Sequence, residues 1–167
     1  MPFSKKIETE IGILGIWELT ESSESLISVF EFSENEKEEF NKIKFEKRKT
    51  EYLATRLLLK HILNKKTEII YHDHGRPVLK NQILKISISH SANFVSIIIS
   101  EKNIGIDVEQ VNRNVEKVAN RFMSIQELKD VQNCGDVQKA RILYWGAKES
   151  IFTVSYTHLT LPTIYSV

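Results

Sequence analysis

Asp107 and Glu109 stand two residues apart in Gly105-Ile106-Asp107-Val108-Glu109, and Lys148 and Glu149 stand side by side in Trp145-Gly146-Ala147-Lys148-Glu149-Ser150. The first stretch alternates apolar and acidic residues, which is the period of a strand. Side chains two apart on a strand share a face, so both carboxylates are expected to point one way, with Ile106 and Val108 behind them in a core. Like charges this close repel unless a cation lies between them. An oxygen-only set suits a hard divalent ion such as Mg2+, which keeps waters and substrate phosphates as its remaining ligands. The second stretch has helical spacing, with Tyr144, Trp145, Lys148, Glu149 and Phe152 on one broad face. A charged pair among aromatics costs free energy unless something uses it, and Glu149 is the natural third carboxylate for the ion. Taken singly, each stretch also has an ordinary reading. An acidic strand edge reads as a solvated face, and W-x-x-K-E as a packed Trp beside a surface ion pair.

Further residues suit a ligand rich in phosphate. In Gly75-Arg76-Pro77 the proline fixes a turn and the glycine permits close approach, so Arg76 is aimed. Ser87-Ile88-Ser89-His90-Ser91 places its serines on one side by alternation and ends in a histidine. Arg48 and Arg56, eight apart, lie on roughly one side of a helix, which also reads as a solvated basic stripe. A serine hydrolase is not indicated, because a nucleophile and base adjacent in sequence rarely face each other and no strand-Ser-helix elbow is present.

These residues need a scaffold. At 167 residues, 41% hydrophobic and 27% charged, the chain is a globular domain or two small lobes with a real core. A net charge of +1 gives no general drive toward nucleic acid or membrane, so phosphate binding must be local. One cysteine, Cys134, excludes an internal disulfide and fits a reducing cytosol. No apolar h-region opens the chain and no run approaches a membrane span, so a cytoplasmic protein is expected. Strands are expected over 13–20, 68–72, 84–89, 93–100 and 104–109, the third and fourth joined hairpin-fashion through His90-Ser91-Ala92. Helices are expected over 21–30, from the Ser33/Glu36 capping box, over 47–64, near 115–122, over 124–132 from a second box at Ser124/Glu127, and over 137–152. Strand, short helix, capping box and long helix thus occur twice.

The ordered motifs over residues 12–152 resemble those of the 4'-phosphopantetheinyl transferases of the surfactin-synthetase-activating type, whose signature is G-[IV]-D-[IV]-E followed by W-x-x-K-E-[AS]-x-x-K. The resemblance implies an α+β fold, a pseudo-dimer of two similar α+β lobes in one monomeric chain: an N-terminal lobe, 1–103, and a C-terminal lobe, 104–152. It implies transfer of the 4'-phosphopantetheine group of coenzyme A to a serine of an apo acyl or peptidyl carrier protein, releasing 3',5'-ADP. This is a holo-[acyl-carrier-protein] synthase activity. By the same resemblance Asp107, Glu109 and Glu149 hold Mg2+, and Asp107, Lys148 and Glu149 carry the catalysis. Arg48, Arg56, Arg76, Pro77, Ser89 and His90 bind the coenzyme, and Asn120-Arg121-Phe122-Met123 lies near the carrier-protein surface. Two rivals are a non-catalytic module that binds coenzyme A or a carrier protein, and a metal-dependent phosphoesterase on the same carboxylates.

The chain departs from the pattern at Thr153, where the family has a lysine that reaches the pyrophosphate. From Ser150 to Val167 there is no Asp, Glu, Lys or Arg, and 154–163 reads as a translated transposase sequencing adapter. Residues 153–167 are therefore expected to be a non-native tail, the second lobe to be incomplete, and the chain itself to be weak or inactive.

Overall fold

A computed structural model describes residues 3–72 and 75–155. The first lobe is built on a four-stranded antiparallel sheet in the order β1-β2-β6-β5, from β1 (Phe3–Thr9), β2 (Gly12–Glu18), β5 (Lys85–Ser91) and β6 (Phe94–Ser100). A two-stranded sheet pairs β3 (Ile69–Tyr71) with β4 (Pro77–Leu79). Ser22 caps a short α1 (Ser23–Ile27), and the expected capping box of Ser33 and Glu36 opens α2 (Glu34–Lys42). The long α3 (Glu46–Leu63) lies across the sheet. Leu53, Leu57, Leu58 and Ile62 from α3 meet Trp17, Ile86, Val95, Ile97 and Ile99 from the strands in one buried cluster. The approach is close because β2 has Gly15 here, where a Cβ would overlap the Ile62 side chain.

Arg56 is the polar member of this core. Only 3% exposed, it lies 3.6 Å from Glu36 and 3.2 Å from Glu39, and its guanidinium sits 3.3 Å from the Tyr52 ring centroid. The Tyr52 hydroxyl donates to the Glu36 carbonyl at 3.2 Å and to Glu39 at 3.0 Å, and burial holds its phenol protonated well above the usual range. This set ties α2 to α3. It also corrects the expectation of a basic stripe on one side of α3: the Arg48 side chain is 56% exposed and the Arg56 side chain 2%.

After Ser100 the regular elements among the described residues are all helical: a 3-10 turn over Glu116–Val118, α4 (Ala119–Phe122), α5 (Ile125–Gln132) and α6 (Val137–Ser155). The second capping box, Ser124 with Glu127, is present. A separate cluster of Val115, Ala119, Phe122, Met123, Val131 and Ile142 packs these helices. Phe122 and Met123 are each 6% exposed, which corrects their expected place at an interaction surface; Asn120 and Arg121 of that segment are exposed. The strand expected over 104–109 is not formed, so among the described residues the second lobe does not repeat the sheet of the first. The physical reason is in its hydrogen bonds, described below. β1 and β4 are additions to the sequence reading. α6 runs on through Thr153 to Ser155, and the rest of the anticipated tail lies outside the described residues. Among these residues no helix is long and apolar enough to cross a membrane.

Removing Arg56 would leave the buried Glu36 with only Lys66, 3.4 Å away, as its cation, so R56M should lower unfolding free energy by about 3 kcal/mol in urea melts. E36Q in the same chain should recover part of that loss.

Candidate functional site

The serines of β5 build the site. Ile86 and Ile88 turn into the core while Ser87, Ser89 and Ser91 face the other way, as strand alternation requires. The Ser87 hydroxyl accepts from the Ile106 amide at 3.1 Å, and the Ser89 hydroxyl accepts from the Val108 amide at 3.1 Å. Ser89 donates in turn to Asp107 Oδ1 at 3.1 Å, and Ser91 donates to Glu109 Oε2 at 3.4 Å. Residues 105–109 therefore run parallel to β5, held by a row of hydroxyls rather than by a backbone ladder. Alternate amides are satisfied, so the carboxylates share a face as expected without a strand. Ile106 and Val108 are half-buried.

Helix α6 closes the other side. A Cβ on Gly105 would overlap the Ser150 carbonyl and lie 2.6 Å from Thr153 Oγ1; one on Gly146 would meet Asp107 Oδ2 at 3.4 Å. The glycine at 105 lets the acidic segment lie against the helix. Trp145 stacks edge-on against Phe122 with ring centroids 5.0 Å apart and donates its indole N–H to Glu109 Oε1 at 3.0 Å. Arg113 also donates to Glu109 Oε1, and its guanidinium lies 5.2 Å from the Trp145 ring centroid. Asp107 Oδ2 is buried with no hydrogen-bond partner. Desolvation, then the charge of Glu109, pushes the Asp107 carboxyl above its ordinary range. Desolvation, then Asp107 and Glu109, does the same for Glu149. The charges of the three sequence-selected carboxylates are thus mutually felt, yet among the described residues no three acidic, His or Cys side chains are grouped as a ready-made metal cage.

Lys148 is placed elsewhere. Its ammonium donates to the Phe122 carbonyl at 2.6 Å and to Glu127 at 2.8 Å, joining α6 to the cap of α5. Phe152 is 47% exposed, so the broad aromatic face expected of α6 is interrupted.

On the opposite face of β5, His90 accepts from Arg48 through Nε2 at 2.6 Å, because a guanidinium can only donate. Arg48 also bonds Glu51 at 2.9 Å, and His90 Nδ1 lies 3.8 Å from the same carboxylate group. They line a cleft of about 580 Å3 whose walls include Phe45, Tyr52, Tyr71 and Pro77, with Arg56 behind. Arg76 lines a neighbouring cleft of about 300 Å3 with His72, Lys85 and Thr153, which Pro77 separates from the first. Gly75 takes a φ of 76° in the turn before it. The structure so brings together Arg48 with His90, and Asp107 with Glu109, Glu149 and Ser89, while Arg56 is spent on Glu36 and Glu39. Sequence reasoning missed Arg113 and Glu51. The i to i+4 spacing of Glu109 and Arg113 and the i to i+3 spacing of Arg48 and Glu51 were the available signals.

Comparison with known proteins bears on the second half most directly. Residues 103–162 match the sequence model of the 4'-phosphopantetheinyl transferase superfamily. Over 110 residues the chain is 29% identical to the 4'-phosphopantetheinyl transferase AcpT of Escherichia coli (strain K12), an alignment covering 62% of this chain and 56% of that protein. Over 93 residues it is 30% identical to the 4'-phosphopantetheinyl transferase of Bacillus subtilis, covering 54% of this chain and 42% of that one. The chain spans about half the length of the curated relatives it matches.

The Lys148–Glu127 link gives a pH test. The Lys148 hydrogen bond, followed by the Ser124 amide, holds the Glu127 carboxyl below its ordinary range. A depressed folded-state pKa adds stability above the unfolded-state pKa and loses it as pH falls through the folded one. E127Q should therefore be about 1 kcal/mol less stable than the parent at pH 7, with the gap closing in urea melts as pH drops below the carboxylate range.

Proposed function

We propose that this chain, whose residues 103–162 belong to the 4'-phosphopantetheinyl transferase superfamily, carries the site that moves 4'-phosphopantetheine from coenzyme A to a serine hydroxyl of an apo carrier protein. The observation that carries this reading is the pairing of two unlike clusters across one edge strand: Ser89-held carboxylates on one face of β5 and the Arg48–His90 pair on the other. A ligand touching both has to pass round the outer edge of β5. That calls for a long molecule with phosphates along it, which coenzyme A is.

The donor set fits a hard divalent cation, because it is all oxygen and because Asp107 Oδ2 is buried and unpaired. Asp107, Glu109 and Glu149 would hold Mg2+, and bound there it would neutralise pyrophosphate charge. The chain's own residues supply the rest. Arg48 and His90 bind phosphate oxygens at the cleft, and Pro77 and Gly75 fix the turn that aims Arg76 toward the same ligand. In the transfer the carrier serine oxygen forms a bond to the pantetheine-side phosphorus. The pyrophosphate P–O bond breaks, and 3',5'-ADP leaves with the bridging oxygen. Glu149 takes the serine proton. Lys148 contributes by holding α6, and hence Glu149, against the cap of α5. Coenzyme A and an acidic carrier protein are the partners this requires.

Thr153 donates to the Ser150 carbonyl at 2.8 Å and lines the Arg76 cleft, so the cation that the family places here is replaced by a neutral hydroxyl. Incubation with coenzyme A, Mg2+ and an apo carrier protein, followed by intact-mass measurement of the carrier, should show a phosphopantetheine adduct that forms slowly with this chain. T153K should speed it about tenfold or more. E149Q should lose the adduct while keeping coenzyme A binding by calorimetry. No adduct from the same assay on a chain restored past Phe152 would overturn the transferase reading, and equal loss of binding and transfer in E149Q would remove Glu149 as the base.

A further inference from the structure

Arg113 has no place in the transfer chemistry above, yet it is the cation nearest the acids that any metal would use. It donates to Glu109 Oε1, the same oxygen that takes the Trp145 indole N–H, and its guanidinium lies over the Trp145 ring at 5.2 Å. Its backbone is fixed on both sides: the amide donates to the Gln110 carbonyl at 3.0 Å, and the carbonyl accepts from Gln138 of α6. The side chain itself is 48% exposed, whereas Glu109 is 10% exposed. A fixed base with an open side chain is the arrangement of a group that can swing out without disturbing the fold.

We infer that Arg113 is a resident counter-cation: it neutralises the Asp107–Glu109–Glu149 cluster when no metal is bound and yields Glu109 to a divalent cation when one enters. This role rests on the metal-site reading above and adds a competitor to it. Two half-buried carboxylates that share a face repel in the metal-free chain, and the serine hydroxyls that hold them carry no charge. One guanidinium on Glu109 offsets part of that repulsion. The same positive charge disfavours a divalent ion at the site and occupies one of its donor oxygens. Removing it should therefore tighten metal binding, which is the opposite of what simple structural damage does. The half-exposed side chain can be replaced without emptying a core, and circular dichroism verifies the fold.

The test titrates Mn2+, as a paramagnetic probe for a hard divalent site, into the full parent chain, R113M and D107N, reading free Mn2+ by electron paramagnetic resonance. R113M should bind Mn2+ about tenfold more tightly than the parent, and D107N should bind least. In a W17F background Mn2+ should change Trp145 emission in the parent, as the guanidinium leaves the ring, and should change it less in R113M. R113K, which keeps the charge and loses the fork, should bind between the two. Equal or weaker Mn2+ binding by folded R113M, with the parent binding normally, would overturn the counter-cation role while leaving the metal site standing. Absence of binding in the parent and R113M alike would overturn the metal-site reading and this inference with it.

Discussion

Carboxylates within one another's field need something to hold them there, and in this protein a row of hydroxyls grips both Asp107 and Glu109. Ser87, Ser89 and Ser91 stand on the face of β5 that the core leaves open. A hydroxyl both donates and accepts, so Ser89 can take the Val108 amide and give its own proton to Asp107. No aliphatic residue could do either, and a second backbone strand would have satisfied the amides without touching the acids. The register of residues 105–109 against β5 follows from that double use. The direction of Asp107 follows from the register, and the need for glycine at 105 follows from the helix that must then lie close.

Helix α6 answers to the same constraint from the other side. Trp145 reaches Glu109 with its N–H while its ring fills the second core against Phe122. One residue so couples a packing cluster to a functional acid. Lys148 does something similar one turn later, tying the helix to the cap of α5. The first core, centred on α3 and Arg56, sets where β5 runs and where Arg48 and His90 meet. Among the described residues the two cores share no member, and β5 with its serine row joins one to the acids packed on the other.

Much of this was legible in the sequence because it rests on local rules. The capping boxes at Ser33 and Ser124, the length of α3, and the β5–β6 hairpin all follow from capping chemistry and periodicity. The alternation of residues 105–109 foretold that Asp107 and Glu109 share a face, and they do. It also foretold a strand, and that failed, because alternation reports side-chain direction and says nothing of what accepts the amides. Arg56 was misjudged for a related reason. Helical spacing put it in line with Arg48, but only the packing of α2 shows that Glu36 and Glu39 reach it first. Lys148 looked like a partner for Glu149 from adjacency alone, although neighbours in a helix project about 100° apart. β1, with Phe3 and Ile7 its only apolar residues, and the three-residue β4 carried too little periodicity to stand out.

The central claim is that serine hydroxyls, not a backbone ladder, register the acidic segment. Amide hydrogen exchange followed by nuclear magnetic resonance tests it directly at Ile106 and Val108. Both amides should exchange slowly in the parent chain, and S89A should release Val108 while leaving Ile106 protected by Ser87. Exchange at open-loop rates for both amides in the parent would contradict the account.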